Sequence, residues 1–207
     1  MKKVYRDFFF HFDITAMLII LVAFGFYVLY QGVNAFTFLA LFLGMGLYAF
    51  LEYVTHRFLF HMKPPKNLFF LKLLKRLHYD HHVEPTNLKL LFLPVWYSLP
   101  FAVILSSVAY LITNSLTLTA SFVMGLTAML LIYEWKHYVA HVSLKPRTSF
   151  GRWLKKTHLL HHYKNENYWY GVSNPLFDIV FGTLKDEKDV PTSSTAKDLE
   201  GRDRVAQ

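Results

Sequence analysis

Residues 35–62 read AFTFLALFLGMGLYAFLEYVTHRFLFHM. The run begins after the turn Gln31-Gly32-Val33-Asn34 and must stop at Pro64-Pro65, because proline has no N–H to donate and disfavours helix in the residue before it. No charge occurs in it before Glu52. It predicts an apolar helix of about 26 residues, roughly 39 Å at 1.5 Å per residue. A hydrocarbon core needs only about 20 residues, so about six must project beyond it. Those last residues carry His56 and His61.

Working outward, the same reasoning finds three more spans. An apolar stretch over 14–30 comes first, without the small-residue cleavage site of a signal peptide. A third span covers 90–112, with Pro94 and Pro100 expected to delay its start or kink it. A fourth covers 116–142, after the turn Thr113-Asn114-Ser115; it too is overlong and ends in His137 and His141. No Lys or Arg lies between Arg6 and Arg57, or between Lys89 and Lys136. All basic residues therefore fall outside two apolar hairpins, which places both termini and the segments 63–89 and 143–184 on the cytoplasmic side. Within them, 67–82 and 150–163 alternate Lys or Arg with Leu, Phe or Trp and predict amphipathic helices at the membrane surface. The expected fold class is all-α: a polytopic membrane protein, four transmembrane helices with a cytoplasmic helical cap, as a single domain over 1–184. The polar tail 185–207 is expected to be solvated and partly disordered.

Composition fits this reading. The chain is 54% hydrophobic and 17% charged, too apolar for an ordinary soluble domain. Its net charge of +8 is distributed as a bilayer requires, which argues against nucleic acid as the partner. Cysteine is absent, so disulfides and thiolate metal sites are excluded and any metal must be held by nitrogen and oxygen.

Ten of the eleven histidines form four clusters: His56 and His61; His78, His81 and His82; His137 and His141; His158, His161 and His162. Ten imidazoles are too many for one ion and predict two metal ions held close together. On an α-helix, positions i, i+3 and i+4 share a face. Each triplet is therefore expected to point one way, as is the pair His137 and His141. His56 and His61, at i and i+5, would diverge by about 140° on a regular helix. Either the helix end unwinds there or the two serve opposite edges of the site. His11, beside Phe8 to Phe12, reads as interfacial packing.

Imidazole suits iron, zinc and copper alike. An iron pair with open positions for O2 fits oxygen chemistry at a membrane surface, and zinc can replace Fe²⁺ on affinity during purification. Glu52, Glu134, Asp80 and Asp178 are candidate carboxylates to orient the imidazoles. Tyr133 is a candidate to line the pocket or donate a hydrogen bond. Tyr168-Trp169-Tyr170 reads as an interfacial aromatic anchor, with one wall of a lipid entry as its functional reading. The turn that follows, at Gly171 and Asn174-Pro175, marks a loop that Asp178 could tie over the metals.

The stretches Glu52-Tyr-Val-Thr-His56-Arg-Phe-Leu-Phe-His61, Leu77-His-Tyr-Asp-His-His82, Tyr133-Glu-Trp-Lys-His137-Tyr-Val-Ala-His141 and His158-Leu-Leu-His-His162 resemble the fatty acid hydroxylase/sterol desaturase superfamily. The resemblance covers Gly44 to Thr183. Lys145-Pro-Arg147 and the ending Tyr170-Gly-Val-Ser-Asn-Pro-Leu-Phe-Asp-Ile-Val-Phe-Gly-Thr183 are similar to the fatty acid 2-hydroxylase branch in particular. The resemblance implies an O2-dependent, di-metal monooxygenase acting on a long lipid, with all ten clustered histidines as metal ligands; Tyr133, Glu134 and Asp178 are expected beside them as pocket or supporting residues. The chain departs from the pattern at Glu134, where related sphingolipid hydroxylases carry Asp. It also has no room for the haem-binding cytochrome domain fused to many relatives, so a separate electron-transfer protein is expected. The short form points to a bacterial inner membrane; a eukaryotic chain would belong in the endoplasmic reticulum.

Within the same class, a carotenoid or sterol hydroxylase or a desaturase would use similar clusters. A metal transporter would need ligands near the bilayer midplane, where these spans hold no His, Asp, Lys or Arg. A zinc-stapled membrane scaffold would hold metal without consuming oxygen.

Overall fold

The computed structural model describes residues 2–201. Ten α-helices follow in chain order: α1 (Lys2–Phe9), α2 (Phe12–Gln31), α3 (Ala35–Val54), α4 (Leu68–Leu74), α5 (Asp80–Val83), α6 (Leu88–Leu91), α7 (Val95–Thr113), α8 (Leu116–His141), α9 (Ser149–Tyr163) and α10 (Leu176–Val180). Two π-helical segments, Thr55–Phe60 and Lys75–Tyr79, continue α3 and α4, and no strand occurs among the described residues. Four helical runs are long and apolar enough to cross a membrane: Phe12–Gln31, Ala35–Phe60, Leu88–Thr113 and Leu116–His141. The protein is therefore an all-helical integral membrane protein, as the apolar pattern required.

The chain divides into two compact units. The first holds residues up to Phe50 together with Leu93–Glu134. Its turns form where the sequence supplies the right residues. Gly32 takes φ +94° and Asn114 takes φ +47°, a region that Gly adopts freely and Asn tolerates. Asn34 Oδ1 then accepts the N–H groups of Phe36 and Thr37 at 2.9 and 3.1 Å, satisfying donors at the start of α3. Pro94 caps α7, and Pro100 lies within its first turns. Asp13 at the start of α2 accepts Val95 N–H at 2.8 Å.

Phe26, Phe42 and Ile104 are 61–70% exposed, which is stable where the solvent is hydrocarbon rather than water. The apolar window of α8 is half buried, against 17% for each of the other three spans, so α8 is the most enclosed of the four. α3 and α8 touch through glycine. A Cβ on Gly44 would sit 2.2 Å from Phe122 O, and one on Gly125 would sit 2.0 Å from Leu41 O. Small residues let two membrane helices approach this closely.

The second unit holds Leu51–Phe92 and the chain from Trp135 onward. Asn67 caps α4 by accepting Phe69 and Phe70 N–H, and Thr148 caps α9 by accepting Gly151 N–H. Lys155 on α9 donates to the carbonyls of Val139, Val142 and Leu144 at 2.9, 2.6 and 3.1 Å. It thereby satisfies orphan acceptors at the end of α8, and α9 is held there despite a burial that pushes the lysine's pKa down.

Two expectations need correction here. Residues 185–201 are not solvated throughout: Val190, Ala196 and Leu199 are 4%, 2% and 1% exposed, and short 3-10 turns form at Glu187–Asp189 and Leu199–Gly201. Residues 202–207 lie outside the described residues. Nor is Tyr168-Trp169-Tyr170 a surface anchor. Trp169 and Tyr170 are buried, and Trp169 Nε1 donates to Lys185 O at 3.0 Å. The apolar residues needed to bury this segment are spread thinly along its sequence, which is why its composition reads as solvated.

Candidate metal centre

All ten clustered histidines are buried, and they sort into two sets of five. One set is His56, His61, His78, His82 and His161; the other is His81, His137, His141, His158 and His162. Within each set, one ring nitrogen per residue lies within 4.8 Å of all the others. His11 belongs to neither; its Nδ1 is 3.5 Å from Asp13.

The local backbone explains how His56 and His61 meet. Thr55–Phe60 is π-helical, and a π-helix repeats at i+5 rather than i+4. That brings i and i+5 onto one face, with ring centroids 5.0 Å apart. The divergence expected of a regular helix does not occur, because the last turn of α3 widens.

The triplets behave differently from the expectation that each points one way. His78 and His82 enter the first set while His81 enters the second; His158 and His162 enter the second while His161 enters the first. Positions i and i+4 differ by about 40° around a helix, whereas i+3 and i+4 differ by about 100°. The rings follow this: His78 and His82 centroids are 4.6 Å apart, but His81 and His82 are 6.3 Å apart. Each triplet therefore straddles both sets, and the two cross over reciprocally.

The first set is anchored by main-chain carbonyls. Tyr170 O lies 2.5 Å from His56 Nδ1, Tyr168 O lies 2.7 Å from His161 Nδ1, and Ala196 O lies 2.8 Å from His82 Nδ1. A carbonyl only accepts, so in all three rings the proton sits on Nδ1 and Nε2 presents a lone pair. Four Nε2 atoms then make a chain of contacts: His161 to His61 at 3.0 Å, His61 to His78 at 2.8 Å, and His78 to His82 at 3.0 Å. His161 and His82 can only accept. His61 and His78 must therefore both donate outward, which leaves two N–H groups facing each other across 2.8 Å. No placement of protons on neutral rings satisfies all three contacts, whereas a cation receiving the lone pairs satisfies every ring. His56 Nε2 is also buried with no hydrogen-bond partner. The donor set thus fits a metal ion.

The second set has the same converging nitrogens, with His137 to His81 and His141 to His158 each at 2.9 Å. Its outer nitrogens are held differently. Nδ1 of His81, His158 and His162 has no hydrogen-bond partner among the described residues, nor has His162 Nε2. Burial, reinforced by neighbouring imidazoles, holds His78, His81, His158 and His162 well below their ordinary pKa. They are neutral, as metal ligands must be.

The expected carboxylates act one step further out than predicted. Glu52 accepts Val172 N–H and Ser173 N–H at 2.9 and 2.8 Å and also the Ser173 hydroxyl. Asp178 accepts Tyr170 N–H, Gly171 N–H and the Thr183 hydroxyl at 2.9, 2.7 and 2.6 Å. Burial raises the Asp178 carboxyl above its ordinary pKa, with these hydrogen bonds opposing. Both carboxylates therefore hold the 168–173 loop, and its carbonyls hold the imidazoles. The loop needs its glycine: a Cβ at Gly171 would meet Asn174 O at 2.1 Å. Trp169 takes φ +57°, turning the chain between the two carbonyls. The Tyr170 ring packs 5.2–5.6 Å from the rings of His56, His61 and His161.

Among the described residues Asp80 meets Lys75, 3.7 Å away at the surface, rather than an imidazole. Tyr133 and Glu134 fall in the first unit. Tyr133 is buried with its ring 6.4 Å from Tyr48, and Glu134 accepts Leu93 N–H at 2.9 Å. The carbonyls of Tyr168, Tyr170 and Ala196, and the role of Lys155, escape sequence reasoning. The visible signals near them are the aromatic triplet and the turn after it, which Asp178 ties down.

Comparison with known proteins decides the family. The fatty acid hydroxylase profile matches residues 38–183, a stretch that includes all ten clustered histidines. The chain belongs to the fatty acid hydroxylase family. It is 36% identical over 148 residues to the fatty acid 2-hydroxylases of Macaca fascicularis and Homo sapiens, covering 70% of this chain and 39% of each relative. A dihydroceramide fatty acyl 2-hydroxylase of Arabidopsis thaliana is 33% identical over 150 residues, 70% of this chain and 60% of the relative. This family member also resembles a solved structure of full-length scs7p in which only the hydroxylase domain is visible. The TM-score is 0.77 and the identity 28%, over 87% of this chain and 67% of the other. The chain spans about two-fifths of the length of the mammalian relatives it matches.

Proposed function

We propose that this protein is a membrane-bound, O2-dependent lipid hydroxylase that places a hydroxyl on carbon 2 of a fatty acyl chain. Each histidine set holds one metal ion, iron in the active form, through five imidazoles. The observation that carries this reading is the contact chain His161–His61–His78–His82, whose hydrogen-bonding conflict a cation resolves. Family membership and the 2-hydroxylases among the relatives support the substrate class.

In the reaction one C–H bond becomes C–OH. One oxygen atom of O2 enters the product and the other leaves as water, with two electrons from a separate electron-transfer protein and two protons. When bound, the metal pair supplies the reduction of O2 and the cleavage of the C–H bond. The protein's part is to keep ten imidazoles neutral, aimed and dry. Carbonyls of Tyr168, Tyr170 and Ala196 fix three tautomers. Burial of all ten rings excludes competing water. The residues that would hold the two ions are His56, His61, His78, His82 and His161 for one and His81, His137, His141, His158 and His162 for the other. Tyr133 and Glu134 are the residues of α8 we assign to the substrate side, one turn before His137. The basic residues flanking the spans support a cytoplasmic side for the histidines and both termini.

The test is lipid profiling of cells with and without the gene, beside cells carrying His158→Ala. We expect a fatty acyl species heavier by one oxygen that appears only with the intact gene, its hydroxyl located at carbon 2 by fragmentation. Unchanged lipids under aerobic growth with a competent electron donor would remove the hydroxylase reading. A product hydroxylated elsewhere would move the proposal to another lipid.

A further inference from the structure

The segment after Thr183 lies beyond the residues that the family profile matches, yet it is tied to the first histidine set. Along its course Lys164 Nζ donates to Glu187 O, and Asn165 Nδ2 donates to Pro191 O at 3.0 Å. Ser193 N–H donates to Lys164 O at 2.7 Å, and the Thr195 hydroxyl donates to Glu166 Oε1 at 2.5 Å. These bonds run down the end of α9, just past His161 and His162. The chain then delivers Ala196 O to His82 Nδ1 at 2.8 Å. Beyond it, Leu199 is 1% exposed, and Glu200 closes on Lys75 at 2.6 Å.

Three of the five imidazoles in the first set take their tautomer from a carbonyl. Two of those carbonyls sit in the 168–173 loop inside the family match; the third comes from this strap. Without Ala196 O, His82 could carry its proton on Nε2, the nitrogen that faces His78 at 3.0 Å, and would then offer no lone pair there. In the other set, Nδ1 of His81, His158 and His162 has no hydrogen-bond partner among the described residues.

We propose that residues 190–201 are a positioning strap that completes one of the two metal sites, with the Ala196 carbonyl holding His82 in its metal-binding tautomer. This rests on the reading that both sets hold metal. The strap acts on the set of His56, His61, His78, His82 and His161, through the contact of Ala196 O with His82 Nδ1. Ala196 acts only through its carbonyl, so the strap must be displaced as a unit, by ending the chain at Asp189 or by Leu199→Asp.

The test measures metal per chain on purified, detergent-solubilised protein, before and during a chelator challenge. The intact protein is expected to hold two ions. Both strap variants should hold one ion firmly and lose the other about tenfold faster or more, the usual scale for removing a support behind a metal-ligating histidine. Leu199→Met should behave as the intact protein. Combining Leu199→Asp with His78→Ala should cost nothing beyond His78→Ala alone, since both act on one site. Combining it with His141→Ala should leave the protein without firmly held metal. Two ions retained at the intact rate in both strap variants overturn the proposal. So does equal loss from both sites, which would make the strap a general folding element. An intact protein that binds no metal defeats the metal reading itself, a result distinguishable because it precedes any variant.

Discussion

The two histidine sets share ligand type, number and burial, but they are built from different parts. In the second set four of the five residues stand on α8 and α9, helices of 26 and 15 residues, and Lys155 fastens one to the other through three carbonyls. In the first set only His161 stands on a long helix. Its partners come from two π-helical segments, their immediate ends and a four-residue helix. Such elements fix side-chain direction weakly, and π segments are rare except as local widenings at functional sites. The first set therefore depends on the loop and the strap to aim its rings. The second relies on helix packing, with outer nitrogens that meet no partner at His81, His158 and His162. An identical inventory of imidazoles thus yields one site fixed by tertiary hydrogen bonds and another fixed by helix geometry.

The largest effect that would test this comparison comes from removing ligands. His78→Ala and His158→Ala should each abolish lipid hydroxylation and each leave about one metal per chain, measured by product analysis and elemental analysis. Activity surviving either change would mean that the two sets do not work as a pair. Next come changes to the loop anchors. Glu52→Ala and Asp178→Ala remove the acceptors of the 168–173 loop. We expect about 10–100-fold weaker metal retention at the first set and little change at the second. Equal loss from both sets would erase the distinction.

A smaller effect is expected on the helix-built side. Lys155→Met leaves the carbonyls of Val139, Val142 and Leu144 without their shared donor. Loss of hydrogen bonds to a charged group should cost about 1–3 kcal/mol of stability, read as a lowered unfolding midpoint, with the first set's metal retention unaffected. The smallest discrimination is expected from pH, because both sets contain rings that burial keeps neutral. His78, His81, His158 and His162 sit well below 6.5 when folded, whereas the unfolded chain takes up protons near 6.5. Their neutral burial is therefore free of penalty above that value and increasingly unfavourable below it. Metal-free protein should unfold at lower temperature as pH falls from about 7.5 to about 5.5. Constant stability across that range would show that these rings are solvated.

By itself the sequence determined the four apolar spans, their turns at Gly32 and Asn114, and the identity of the ten clustered histidines. These are local properties: hydrocarbon imposes a length on each span, and positive φ selects Gly or Asn. It also showed that His56 and His61 could not share a regular helical face. Only the tertiary structure decided how that conflict resolves, because a π-helical turn costs too little and signals too little to be read from residue types. The crossing of His81 and His161 between sets is likewise a matter of what stands opposite each ring. Glu52 and Asp178 were recognisable as support, but the carbonyls they position carry no side-chain signal, since every residue has one. The strap was hidden for the same reason: its decisive atom is the main-chain oxygen of an alanine, in a segment whose composition reads as solvated.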